Sequence, residues 1–318
     1  MPSKIYLHDH NEFSALIKIV AGEKGIDPYL VEKDYWIMHC LNGLKEAGYD
    51  FQLKGGTSLS KGFGLIHRFS EDIDLHILPP EHLGVMTGKN HNKSQHRESR
   101  QKFYDYLAQT IKVAGITQVE RDEQFDSLPQ YFSGGIRLNY NATCPSDGSA
   151  KEGILLEVGF DTVVPNQPID ISSWAYDFAM SKNVDVRDNR ALGVFCYDPG
   201  YTLVEKLQAV VTKFRQQQEG SGFPPNFMRH YYDVYCLLQS NDVRDFIGTD
   251  AFNKHKAGRF PKKDLEVPIS QSEAFLLTDP ATRSLYKKEY ERRPSLYYNG
   301  QIPFDDILNG IAQHLGRL

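Results

Sequence analysis

The chain contains no run of about 18 apolar residues, so no segment of it reads as a membrane-spanning helix. Its opening, Met-Pro-Ser-Lys, lacks the apolar core of a secretory signal, and the expected location is the cytoplasm. Cysteine is scarce. Cys40, Cys144, Cys196 and Cys236 are scattered and form no Cys-x-x-Cys pair, which argues against a zinc site or a disulfide framework. An excess of positive charge is also missing. At a net charge of −5 there is no global attraction to nucleic acid, and such a substrate would need a local basic surface. Internal repeats and low-complexity tracts are absent. What remains is 318 residues with 40% apolar and 24% charged content, an ordinary globular composition with room for a substantial core and two domains.

The informative stretch runs from Phe51 to Ile77. Gly55 and Gly56 follow a short apolar entry and precede Thr57 and Ser58, residues suited to cap a helix N-terminus. A helix start of this kind attracts phosphate through its unpaired N–H groups, and glycine lets the ligand approach the backbone closely. It reads equally as a simple turn. From Glu71 to Leu78 the pattern is a strand, with Asp72, Asp74 and His76 on one face and Ile73, Leu75 and Ile77 on the other. Carboxylates at i and i+2 lie about 7 Å apart along a strand, close enough to converge on hard cations that hold triphosphate oxygens. Alone, Asp-x-Asp also describes a solvated strand face; the glycine turn just upstream favours phosphoryl chemistry with two metals.

Gly55-Gly56-Thr57-x-Leu59 followed by Arg68-x-Ser70-x-Asp72-Ile73-Asp74-Leu75 resembles the signature of the AbiEii-type nucleotidyltransferases. These are the toxins of type IV toxin–antitoxin systems, within the DNA polymerase β-like superfamily. The resemblance runs from about Glu32 to Leu238. It implies an α+β fold, with a nucleotidyltransferase core of mixed sheet flanked by helices over residues 1–165. A helical C-terminal domain, residues 166–318, would complete the cleft. It also implies an NTP substrate, two Mg²⁺ ions, an RNA acceptor such as a tRNA 3′ end, and a separate antitoxin. Asp72 and Asp74 match the metal-binding acids, and Gly55, Gly56, Thr57, Ser58 and Ser70 the nucleotide-binding turn. Lys206, in Glu205-Lys206-Leu207, matches the lysine that faces the site, and Asp233 the acid of the second motif, placed to aim Lys206 or assist in proton removal. By residue type alone Lys206 also reads as a lysine snorkelling beside a core stripe. The family commonly has an acid after the arginine at position 229, where this chain has His230.

Elsewhere, residues 12–47 read as two helices, the second amphipathic, with Glu32, Lys33 and Asp34 outside and Trp36, Ile37 and Leu41 inside. After Pro79-Pro80 comes a polar excursion to Ser94, read as a mobile loop of the kind that lies over active sites. It carries Lys89 and Lys93 and is followed by His96, Arg97, Arg100 and Lys102, a solvated face or an RNA contact. Tyr131–Tyr140 and Gly153–Asp161 read as an antiparallel pair. Glu157 stands on the second, an acid on a largely apolar strand, either the third carboxylate of the site or half of a structural ion pair. Residues 163–195 read as a connection between lobes, and two helices follow Pro199. Basic residues interleaved with Tyr286, Tyr290, Tyr297 and Tyr298 read as solvated helix faces over a core or as a nucleic-acid contact. Two rival functions stay open: a small-molecule (antibiotic-type) nucleotidyltransferase on the same core, and a non-catalytic nucleotide-binding module. The intact Asp-x-Asp disfavours the latter.

Overall fold

Seven strands make one mixed sheet: β1 (Phe51–Lys54), β2 (Asp72–Ile77), β3 (Ile116–Asp122), β4 (Ser133–Tyr140), β5 (Ile154–Gly159), β6 (Asn166–Ile171) and β7 (Ala191–Tyr197), in the order β3-β4-β5-β2-β1-β7-β6. The structure, a computed structural model, describes residues 5–145, 152–224, 226–292 and 294–318. The chain divides into two compact units. One comprises Met1–Gly62 and Phe69–Tyr197, the other Phe63–Arg68 and Asp198–Leu318. Residues 166–197, expected in the second domain and partly as a connection, instead build β6, a helix and β7 of the first unit. Alternation supplies the reason, since Ala191, Val194 and Cys196 on β7 are buried.

In the first unit the expected faces of β2 hold, with Ile73, Leu75 and Ile77 buried and Asp72, Asp74 and His76 half-exposed. β2 pairs antiparallel with β1 and parallel with β5, and β4 pairs antiparallel with β5, as the sequence pattern anticipated for that pair. Around the sheet stand α1 (Phe13–Lys24), α2 (Pro28–Glu46), a short helical turn α3 (Gly55–Thr57) that continues as a π-helical turn to Gly62, α4 (Ser94–Thr110) and α5 (Trp174–Ser181). Asp27 caps α2 by accepting from the Tyr29 N–H at 2.7 Å, with Pro28 in the first turn where its missing donor costs nothing.

The amphipathic reading of α2 is overturned. Glu32, Lys33 and Asp34 are all buried. The Glu32 carboxylate accepts from the N–H groups of Thr143 and Cys144, and Asp34 accepts from Lys61 Nζ and the Trp174 N–H. Buried charge is tolerated where every lone pair is met in this way. α2 is thus a central helix, in contact with α1, α5, β5 and β7.

The second unit is helical: α6 (Pro199–Gln218), α7 (Arg229–Leu237), α8 (Asn241–Phe246), α9 (Asp250–Arg259), α10 (Glu273–Leu276), α11 (Pro280–Tyr290) and α12 (Phe304–Ala312). Its core is aromatic, with Phe227, Tyr231, Tyr286 and Phe304 fully buried and Tyr231 donating to the Ala274 carbonyl at 2.6 Å. Among the described residues no helix is long and apolar enough to cross a membrane.

Candidate nucleotidyltransferase site

Strand pairing draws the acids of the first unit together. Asp74 is the register partner of Lys54 on β1 and of Glu157 on β5, so one cross-strand row reads Lys54, Asp74, Glu157. Asp72 lies two residues earlier on the same face of β2. Adjacent strands lie about 4.8 Å apart, which puts the Asp74 and Glu157 carboxylates within reach of one cation. Asp74 and Glu157 line a cavity of about 470 Å³ with Lys54, Asp161, Thr87, Lys89, Phe132 and Ser133. Glu157 is therefore on the site face, while Leu155, two residues away, is buried.

The turn that precedes β2 is built around Asp74. Gly55 has φ +71°, and a Cβ placed there would lie 1.9 Å from Asp74 Oδ2. Two independent constraints thus require glycine: the left-handed backbone and the carboxylate over it. Thr57 and Ser58, anticipated as helix caps, are instead buried inside the turn. The Thr57 hydroxyl donates to the Asp72 carbonyl at 2.8 Å, which ties the turn to the strand. Lys61 secures its far end, 2.9 Å from Asp34 and over the Trp174 ring at 4.4 Å. Ser70, half-buried, stands in the extended stretch leading to β2. Gly55→Ala should leave the protein folded but lower turnover about 100-fold, because the methyl displaces the Asp74 carboxylate. Steady-state kinetics beside a thermal melt checks this; unchanged turnover would remove Asp74 from the reaction.

Among the described residues no three His, Cys, Asp or Glu side chains are grouped as a metal cage. The donor set still fits Mg²⁺, which keeps most of its waters and takes one or two carboxylates plus substrate phosphates. Asp74 and Glu157 provide that pair, all hard oxygen donors beside a glycine cradle, with Asp72 next along the face.

The second unit holds the other motif residues. Arg68 grips Asp233 in a bidentate pair, Nε to Oδ1 and Nη2 to Oδ2 both at 2.7 Å, and Lys206 Nζ lies 2.9 Å from Oδ2. Asp233 is fully buried. Burial alone would raise its pKa, but the charges of Arg68 and Lys206 outweigh it and hold the carboxyl well below the usual carboxylate range. A carboxylate so committed has no basicity to offer; it fixes Lys206. His230 sits 3.1 Å from Lys213 Nζ, and burial, with Lys206 and Lys213 nearby, pushes it well below the ordinary histidine range, so the ring is neutral. Arg68 escaped the sequence reading as a functional residue because its partner is 165 positions away. Its place two residues before Ser70 was the available signal.

In the basic, tyrosine-rich stretch Tyr298 is half-buried and its hydroxyl donates to the Ile66 carbonyl at 3.1 Å. Tyr286, Tyr290 and Tyr297 are buried. Arg283 and Lys287 pair with Asp305, Arg292 with Glu289, Arg259 with Glu205 and Lys263 with Glu219.

Against known proteins, residues 37–310 match the family model described as nucleotidyl transferase AbiEii toxin, type IV TA system. No curated protein matches. Among solved structures the chain is similar to an antigenic nucleotidyltransferase-like protein from Paracoccidioides brasiliensis, at 13% identity and a TM-score of 0.36, over 80% of this chain and 93% of that one.

Proposed function

From the premise that the chain belongs to the AbiEii family, and is thus a nucleotidyltransferase toxin of a type IV toxin–antitoxin system, we propose that it transfers a nucleotide from an NTP to an RNA 3′ end, in the first instance that of tRNA. The observation that carries the site assignment is the Lys54-Asp74-Glu157 row beside the Gly55 cradle. An acceptor hydroxyl oxygen attacks the α-phosphorus, the bond to the β-phosphate oxygen breaks, pyrophosphate leaves, and the hydroxyl proton passes to solvent. Asp72, Asp74 and Glu157 would hold two Mg²⁺ ions. When bound, these neutralise the triphosphate and lower the pKa of the acceptor hydroxyl.

The chain's own groups do the positioning. The main-chain amides of Gly55 and Gly56 take the phosphate oxygens, with Thr57 and Ser58 holding the shape of the turn from inside and Ser70 at the entry to the strand. Lys206 offsets charge on the departing pyrophosphate, a role carried by the family resemblance, and Asp233 with Arg68 fixes its ammonium. A cognate antitoxin is the partner that type IV membership implies.

A second reading, a small-molecule acceptor, is favoured by the ion pairs that neutralise the basic stretches of the helical unit. One experiment separates the two. Purified protein is incubated with total bacterial RNA, Mg²⁺ and each α-³²P-labelled NTP, beside Asp72→Ala. The expected result is label in a tRNA-sized band with wild type only. Measurable NTP binding with no labelled RNA would pass the assignment to the small-molecule reading.

A further inference from the structure

Arg100, on α4, is 0% exposed. Among the described residues no carboxylate pairs with it; its guanidinium donates to main-chain carbonyls instead, Nε to Gln130 at 2.7 Å and Nη1 to Met86 at 2.6 Å and His91 at 3.1 Å. A buried cation without an acid is costly unless such dipoles are held in place, so charge and loops depend on each other. The three carbonyls come from two segments, the excursion at residues 78–93 and the bend at residues 126–132. α4 ties both further. Ser99 Oγ accepts from the Met86 N–H at 3.1 Å, and the Tyr104 hydroxyl donates to the carbonyl of Tyr131, whose φ of +56° is unusual for a non-glycine residue.

These are the two segments that wall the acid cavity. Thr87 and Lys89 come from the first; Ser127 and Phe132 come from the second, with Ser133 just beyond it. The Phe132 ring also carries the Arg100 guanidinium, 4.5 Å from its centroid. Asp74, Glu157 and Asp161 line the same cavity, and its lysines are Lys54, 3.8 Å from Asp161, and Lys89. A nucleoside triphosphate supplies what this wall is built to take, an aromatic base for a ring and phosphate for an ammonium.

We propose that Lys89 and Phe132 bind the incoming nucleotide and that Arg100 is a positioning residue that clamps the two loops carrying them. This inference rests on the nucleotidyltransferase reading of the cavity. It gives the polar excursion a defined role: a wall fastened from beneath.

The test is calorimetric titration of the full-length protein with each NTP, Ca²⁺ replacing Mg²⁺ to block turnover. Lys89→Ala should raise the Kd about 10-fold at an unchanged melting temperature. In a separate steady-state assay with Mg²⁺, Arg100→Lys, whose single ammonium cannot reach three carbonyls, should raise the NTP KM about 10-fold with kcat within about two-fold. Lys89 is exposed, so its variant folds whatever Arg100→Lys does, and its titration decides alone. Wild-type affinity in Lys89→Ala overturns the proposal and leaves the reading of the acids intact. If wild type itself binds no NTP, the underlying reading falls and takes this one with it.

Discussion

Asp74→Asn should abolish nucleotide transfer, by about 10³-fold or more, and melt at the wild-type temperature. The loss follows from geometry. Asp74 is the middle member of the cross-strand row, its carboxylate lies over Gly55, and it lines the cavity; an amide keeps the volume but forfeits an anionic oxygen donor. Stability should hardly change, because Asp74 stands between Lys54 and Glu157 in the row, and the amide gives up one attraction and one repulsion together. A parallel turnover assay and thermal melt measure both. A marked drop in melting temperature would show Asp74 to be a structural residue and sink its role as a ligand.

Asp233→Ala should instead destabilise the second unit by about 3–5 kcal/mol, because it strands the Arg68 and Lys206 charges that its fully buried carboxylate neutralises. Activity falls as well, since Lys206 loses the group that holds it. The pH dependence has a definite sign. A carboxyl whose folded-state pKa is depressed stabilises the fold fully above its unfolded pKa of about 3.9, and that contribution is lost as pH falls through the lower folded value. The stability gap between wild type and Asp233→Asn should therefore be flat from neutrality down to about pH 5 and shrink below about pH 4. Denaturant melts across that range supply the check. A variant that unfolds at the wild-type midpoint would mean the trio contributes nothing. Replacing Arg68, Lys206 and Asp233 together by apolar residues should recover most of the loss, because no charge is then left unmatched.

Short-range pattern carried the sequence reading far. The two faces of β2 follow from the two-residue alternation of strands, and the β4–β5 pair from the turn-rich stretch between two strand patterns. The parallel pairing of β5 with β2, which brings Glu157 opposite Asp74, is set by the sheet order and was not legible there. Partners distant in the chain were beyond its reach. Glu32, Lys33 and Asp34 looked like a solvated helix face because the groups that satisfy Glu32 and Asp34, at Thr143, Cys144, Lys61 and Trp174, lie in other segments. The same holds for Arg68 and Asp233. Thr57 was misplaced for a subtler reason: a hydroxyl near a helix start serves as a cap or as a strap, and only the position of the Asp72 carbonyl decides which. The tyrosines near the C-terminus show the limit of composition, since an aromatic among basic residues looks identical whether it faces water or Phe304.

The path of the chain bears on how such enzymes are recombined. Residues 63–68 belong to the helical unit although they are encoded between α3 and β2 of the sheet unit. A single genetic crossover after Tyr197 would carry Asp233 and Lys206 into a new protein but leave Arg68 behind. Exchange of the whole helical unit must move two separate coding segments at once. Engineered chimeras that keep the Arg68–Asp233 pair native must therefore transplant residues 63–68 along with the C-terminal portion.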